Sequence, residues 1–148
     1  MKDMGELKSF LGIEITRDRA NRTMKLIQKG YIDMILERFR FTDAVPVKTP
    51  MVTQLVGLTE KGTELNVRED EYRRIVGSLM YLMIATRPDL ANAVGIVSRY
   101  LSNLSVEHLT AVKHILGYVK GTKDYSLMLG PSNDIKEPLT LYRYTDAD

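Results

Sequence analysis

Two carboxylates close the chain, Asp146 and Asp148, in the run Tyr144-Thr-Asp-Ala-Asp. Carboxylates are what metal-assisted phosphodiester chemistry needs, but several must surround ions about 4 Å apart. Two aspartates at a terminus cannot hold magnesium tightly, because magnesium keeps its waters and takes few protein ligands. Asp3, Asp18 and Asp33 form no recognisable catalytic pair. His108 and His114 are six apart, off-face on a helix, with no carboxylate placed to complete a zinc shell. The chain has no cysteine, so disulfides and thiolate metal sites are excluded. No G-x-G-x-x-G, Walker loop, H-E-x-x-H or G-x-S-x-G occurs. No metal site is expected in this chain alone, and no cofactor.

The basic and small residues suggest binding instead. Arg73, Arg74, Gly77, Ser78 and Tyr81 fall on adjacent rows of one helix. Arginines make charge-assisted contacts to phosphate, and small residues let a helix backbone lie close to a sugar-phosphate surface. The alternative is close packing of another helix on Gly77 and Ser78, with the arginines solvated. Lys113 and Lys120, seven apart with His114 and Lys123 nearby, could form a phosphate track or an ordinary solvated face. Leu11-Gly12-Ile13-Glu14 is the third candidate. Gly12 lacks a Cβ, so a backbone could approach it closely; otherwise it is the bulge glycine of a plain hairpin.

These groups need elements to hold them. Phe10 to Ile15 and Met24 to Gln28 alternate around the turn Arg17-Asp-Arg-Ala-Asn-Arg22, which reads as a β-hairpin broken at Gly30. Ile32, Ile35, Leu36 and Phe39 give a helical period over Tyr31 to Phe41, ended by Pro46 and Pro50. Residues 51–66 show no period and read as a surface linker. Three helices follow. The first has Asn66 and Glu69 as a capping box, the second has Thr86 and Asp89 with Pro88 in its first turn, and the third is capped by Ser105 and stopped by Gly121. Tyr125 to Leu129 and Leu139 to Tyr144 read as a strand pair across a Gly130-Pro loop.

The order of certain runs is more specific than any one of them. MKDMGELKSFLGIEI opens the chain, YRRIVGSLMYLMIATRPD spans Tyr72 to Asp89, and AVGIVSRYLSN and EHLTAVKHILGYVKGTKDYSLML follow. In this order they resemble the C-terminal part of the reverse transcriptase in copia-type LTR retrotransposon Pol polyproteins, running into the start of RNase H. The resemblance implies RNA-directed DNA polymerase with a linked RNase H, acting on a template-primer duplex with magnesium. It implies that Leu11 to Glu14 correspond to the primer grip and that the Arg73–Tyr81 helix lies in the thumb, against the minor groove. Asp146 matches the first RNase H carboxylate, inert here without its partners. The polymerase aspartates would lie upstream of Met1, since Tyr-x-Asp-Asp is absent. Three departures mark a divergent copy: Gly117 where arginine is expected, Leu109 where tryptophan is expected, and Arg143 in place of glycine.

Composition bounds the reading. The chain has 148 residues, 44% hydrophobic and 27% charged, with a net charge of +2 and a pI near 8.8. That suits a globular protein whose nucleic-acid footprint must come from local clustering. No apolar run is long enough to span a membrane, and no secretory leader is evident. The expected fold is α+β: residues 1–50 as the end of a palm with hairpin and short helix, 51–66 as linker, 67–123 as a three-helix thumb-like bundle, and 124–148 as a strand pair leading into RNase H. The expected partners are an RNA–DNA or DNA duplex and the remaining Pol segments, with neither a membrane nor a small-molecule substrate. An intracellular setting is expected, a cytoplasmic particle or the nucleus by family resemblance. The expected role is gripping rather than chemistry. A helical protein-interaction module and an inert translated relic are the other readings. Without fingers and palm, the hairpin is expected to stand alone, poorly ordered and with apolar surface exposed.

Overall fold

The computed structural model describes residues 5–51, 69–102 and 104–131. The fold is α+β, as expected. The elements run β1 Ser9–Phe10, β2 Ile13–Asp18, β3 Thr23–Ile27, α1 Lys29–Arg38, α2 Glu69–Ala85, a 3-10 turn Pro88–Leu90, α3 Ala91–Val97, α4 Val106–Gly121 and β4 Leu127–Leu129.

The N-terminal strands form because apolar residues alternate and the turns carry the right chemistry. Leu11 and Gly12 make a two-residue connection with φ of 49° and 76°. Both central residues of a type I′ hairpin turn need positive φ, so Gly12 fits and Leu11 is unusual there. At the other end of β2, Asp18 accepts from both the backbone N–H (3.1 Å) and the side-chain amide (2.7 Å) of Asn21, closing the next turn. The register pairs Phe10 with Ile13, Ile15 with Leu26 and Arg17 with Met24.

The hairpin does not stand alone, contrary to expectation. β4 pairs antiparallel with β3, setting Leu127 against Leu26 and Leu129 against Met24. The sheet order is β1-β2-β3-β4, drawn from both ends of the described chain. The first strand of the expected C-terminal pair joins the N-terminal sheet, where apolar alternation matches β3. Its expected second strand, Leu139 to Tyr144, lies outside the described residues. The register puts Phe10, Ile13, Ile15, Met24, Leu26, Leu127 and Leu129 on one face, since side chains alternate along each strand. No residue of the four strands is fully buried.

The core is helical. α1 contributes Ile32, Ile35 and Leu36, with Phe39 just beyond it. α2 adds Tyr72, Ile75, Val76, Leu79 and Leu82, α3 adds Ala93, Val94 and Val97, and α4 adds Ala111, Val112, Ile115, Leu116, Tyr118 and Val119. The Tyr72 hydroxyl donates to the Val97 carbonyl at 2.8 Å, tying α2 to α3, and burial pushes its ionisation up.

Several sequence expectations move. Gly30 does not end a strand but sits in the first turn of α1. Gln28 stands just before that helix, 1% exposed, and its side chain accepts from the Thr86 hydroxyl at 2.9 Å. α1 ends three residues early. Arg40 adopts φ of 59° and donates its N–H to Glu37, while the Phe41 N–H donates to Leu36 at 2.7 Å. That is the Schellman pattern, with an arginine where glycine is usual. Thr86 and Asp89 make no cap. Thr86 bonds Gln28, and Asp89 pairs with Arg87. The Asn66 cap lies outside the described residues, but Glu69, Asp70 and Glu71 crowd the first described turn of α2, where the helix dipole favours them. Ser105 does cap α4, accepting from the His108 N–H, and the His108 ring accepts from the Ser105 N–H at 3.0 Å. This is a capping box with histidine in the usual glutamate position.

Gly117 has a packing reason. The extended segment Val45–Val47 lies across the end of α4, and the Val47 N–H donates to the Gly117 carbonyl at 3.3 Å. A Cβ on Gly117 would stand 3.2 Å from the Val45 oxygen, and one on Gly121 would stand 3.1 Å from the Pro46 Cβ. Gly121 is the last residue of α4 and not its stop signal, since the helix is followed by Thr122 with ordinary negative φ.

Candidate nucleic-acid interface

The hairpin and the α2 stripe, read separately from sequence, meet. Tyr81 on α2 donates its hydroxyl to the carbonyl of Leu11 at the hairpin turn. Its ring packs edge-to-face on Tyr31 of α1, centroids 5.0 Å apart. Such a pair contributes about 1 kcal/mol beyond its buried area and fixes both rings.

From Tyr81 the stripe runs back along α2 through Ser78 and Gly77 to Arg74, about 10 Å at 1.5 Å per residue. Gly77 is open: nothing described lies within 4 Å of where its Cβ would be. It is therefore not a seat for any of the described helices. Ser78 donates to the Arg74 carbonyl at 2.9 Å, which keeps its hydroxyl close against the helix. Arg74 lines a cleft of about 700 Å3 with Arg38, Phe39, Arg40, Asp70 and Glu71. Tyr31 meets Tyr81 at one end and Arg38 shares a cleft with Arg74 at the other. α1 and α2 thus run antiparallel along this side.

Arg73 does not belong with Arg74. Its Nε donates to the Leu101 carbonyl at 2.9 Å and a terminal nitrogen pairs with Glu69 at 2.7 Å. It anchors the segment after α3 to α2. Gly12 is exposed beside Leu11, while Ile13 is half-buried and Glu14 exposed on β2. Lys113 is exposed on α4. Lys120 donates to the Thr42 and Ala44 carbonyls at 2.5 and 2.7 Å. His114 meets the Thr49 carbonyl at 2.9 Å, so α4 holds the strap 42–49 at three levels. None of these bonds reaches the α2 stripe. Lys123 pairs with Asp33 and Lys29 with Asp124. Asp146 and Asp148 lie outside the described residues.

Sequence reading missed Tyr31, Arg38 and Arg40. Tyr31 and Arg38 are seven apart on α1, as are Arg74 and Tyr81 on α2. That matching spacing was the available signal, but only packing shows that the two helices are antiparallel neighbours. Arg87 was also missed. Its side chain, 2% exposed, bonds both carboxylate oxygens of Asp89 (3.0 and 2.7 Å) and the carbonyl and hydroxyl of Thr122 (3.1 and 2.6 Å). Its guanidinium carbon lies 5.5 Å from the ring centres of Tyr118 and Tyr125. The Tyr118 hydroxyl donates to Asp89 at 2.9 Å. Burial pushes the Asp89 carboxyl up, but the bonds from Arg87 and Tyr118 and the arginine's charge outweigh it and hold it low. This cluster locks the α2–α3 junction to the end of α4.

No group of three or more metal-ligating side chains occurs among the described residues. No described helix is long and apolar enough to cross a membrane.

Residues 1–53 match the family model for reverse transcriptase (RNA-dependent DNA polymerase). The whole chain is similar to the Retrovirus-related Pol polyprotein from transposon TNT 1-94 of Nicotiana tabacum, at 44% identity over 156 residues and 11% of that protein's length. It is 40% identical to the Pol polyprotein from transposon RE1 of Arabidopsis thaliana, again over all of this chain and 10% of the relative. An uncharacterised mitochondrial protein of Arabidopsis thaliana is 31% identical, with 58% of its length covered. The chain spans about a tenth of the polyproteins it matches. No solved structure matches. The chain is a reverse-transcriptase-like stretch, similar over its whole length to the Pol polyproteins of copia-type retrotransposons.

Proposed function

We propose that this stretch grips a template-primer duplex for the polymerase and performs no chemistry alone. The observation that carries the reading is the bond from Tyr81 to the Leu11 carbonyl, which makes one surface of the hairpin turn and the α2 stripe. The surface has a backbone turn at one end, an open glycine in the middle and three guanidinium groups at the other. A sugar-phosphate backbone needs such parts: close approach along the helix, and charge where phosphates pass. Asp70 and Glu71 in the same cleft limit how many phosphates it takes and favour a defined track over indiscriminate binding. Magnesium and the polymerising carboxylates belong, on this reading, to the rest of the polyprotein.

The test is binding to an RNA–DNA duplex as salt is raised. Removing one phosphate-binding side chain makes the slope of log K against log salt about 0.9 shallower. Arg38→Gln/Arg74→Gln should therefore flatten the slope by about two units. Binding indifferent to salt would sink the reading and favour a protein partner on the Gly77 face. Primer extension by this chain alone would sink its non-catalytic part.

The open apolar face of the sheet supports a second partnership. Phe10 is 58% exposed and Leu129 46%, on the same face as five half-buried apolar side chains. On this reading other segments of the Pol polyprotein cover the Phe10, Ile13, Ile15 and Leu26 end of that face and leave the Met24–Leu129 end open.

A further inference from the structure

The distal end of the β2–β3 hairpin carries a larger surplus of positive charge than the gripping cleft. Arg17, Arg19 and Arg22 stand there against the single acid Asp18. That surplus equals the net charge of the entire chain, +2, so the remaining residues balance to zero. Neither Arg17 nor Arg22 has an ion-pair partner among the described residues, and Arg19 reaches Glu6 only at 4.0 Å with both exposed. Asp18 is turned to another use. Bonds from the Asn21 backbone and side chain hold its carboxyl below the usual range, and it locks the turn instead of pairing with an arginine.

The turn is also built into a cleft. Arg17, Arg19 and Arg22 line about 400 Å3 of space with Asp18, Thr23 and Met24 and, from the far end of the described chain, Leu129 and Gly130. Gly130 passes so close that a Cβ would lie 2.9 Å from the Thr23 methyl. The cleft thus has arginines around an apolar floor of Met24 and Leu129. This volume takes a nucleotide unit and not a double helix, with phosphate on the guanidinium groups and the sugar or base on the floor. β2 sets the distance from the gripping turn. Five residue steps from Ile13 to Asp18 span about 17 Å.

We propose that this arginine-lined tip is a second nucleic-acid site, which holds single strand about 17 Å from the duplex at the grip. The proposal takes the class of ligand from the functional reading above, but its residues are separate. It is tested on the full chain by comparing a blunt RNA–DNA duplex with the same duplex carrying a single-stranded overhang. The variant is Arg17→Gln/Arg19→Gln/Arg22→Asn, with asparagine chosen because Arg22 has φ of 52° and asparagine tolerates that conformation. Circular dichroism checks that the fold is kept.

The overhang should tighten binding by at least tenfold and steepen the salt slope by about two units, at about 0.7 per single-strand phosphate. The triple variant should lose that gain and leave blunt-duplex binding unchanged. An overhang gain that survives the triple variant would overturn the proposal while leaving the grip intact. Equal loss on blunt duplex would overturn it too, since the two sites would not be separate. Blunt-duplex binding indifferent to Arg38→Gln/Arg74→Gln, with an overhang gain still dependent on the tip, would overturn the grip and keep this site. Equal affinity for phosphatidylserine vesicles, lost in the same variant, would reduce the tip to a general polyanion patch and overturn it.

Discussion

The helical part and the sheet of this molecule obey different rules. Among the described residues, the helical part buries twenty apolar side chains around one core, twelve of them with no measurable exposure. The four strands bury none of theirs, although one face of the sheet is almost wholly apolar. A core that closes on itself gains its stability internally. An apolar sheet face left open has its gain still to come, from whatever covers it. The difference teaches that the helices are the frame of this stretch and the sheet is its outward-facing part.

The largest test of that contrast is a pair of truncations. Leu79→Ala, at a fully buried site, should cost about 3 kcal/mol, within the usual range for leucine deletion. Ile15→Ala on the half-buried sheet face should cost about 1 kcal/mol. Urea unfolding measures both, and equal losses would break the comparison. Arg87→Met comes next. It strands Asp89, Tyr118 and Thr122 without their shared partner and should cost about 3 kcal/mol, the low end for breaking a buried pair, because Asp89 remains 37% exposed. A melting temperature that hardly moves would remove Arg87 from the frame.

Acid sharpens the comparison within the helices. Burial holds the His108 ring below its ordinary value of 6.5, against a smaller upward pull from Glu107, while Tyr100 stacks on it at 4.2 Å. The folded chain then binds this proton less readily than the unfolded chain. Stability should be full above pH 6.5 and fall as pH drops below it. His108→Gln keeps a capping acceptor at that position and should flatten the curve there. Asp89 adds a further loss only at lower pH, below its ordinary 3.8, because its folded value is depressed. The smallest effect is Gly77→Ala. With open space around it, the change should stabilise α2 by up to about 1 kcal/mol through helix propensity. Duplex affinity should fall in the same variant, since the added methyl would stand between helix and backbone. A gain in both would show that nothing approaches Gly77.

Legibility followed range along the chain. Helices α2 to α4 were readable because their apolar period is local and strong, and Ser105 announced its cap. The hairpin was readable from alternation around a polar turn. β4 was recognised as a strand but its partner was not, because pairing across the whole chain leaves no local mark. The ends of α1 were misjudged for the same reason: Gln28 is fixed by Thr86, 58 positions away. At the candidate site, the stripe Arg74–Gly77–Ser78–Tyr81 was visible as spacing, whereas Arg73 proved to be a structural tether. The buried role of Arg87 was hidden, since an arginine in a sequence reads as surface until its four bonds are assembled. Gly117 looked like a loss relative to the family and turned out to make room for Val45 and Val47.

The ladder between β3 and β4 also sets an order of events. Its central pair, Lys25 and Met128, is flanked by Leu26 and Leu127, which are 101 positions apart. Closing so long a loop from a disordered chain costs about 4 kcal/mol, more than three residue pairs can return. The helices between must therefore fold first and bring the two ends together, after which β4 docks onto a strand already in place. In native-state hydrogen exchange, the β4 amides should open long before those of α2 and α4. The wall of the arginine cleft that Leu129 and Gly130 supply is then the last part of the molecule to be assembled and the first to come apart.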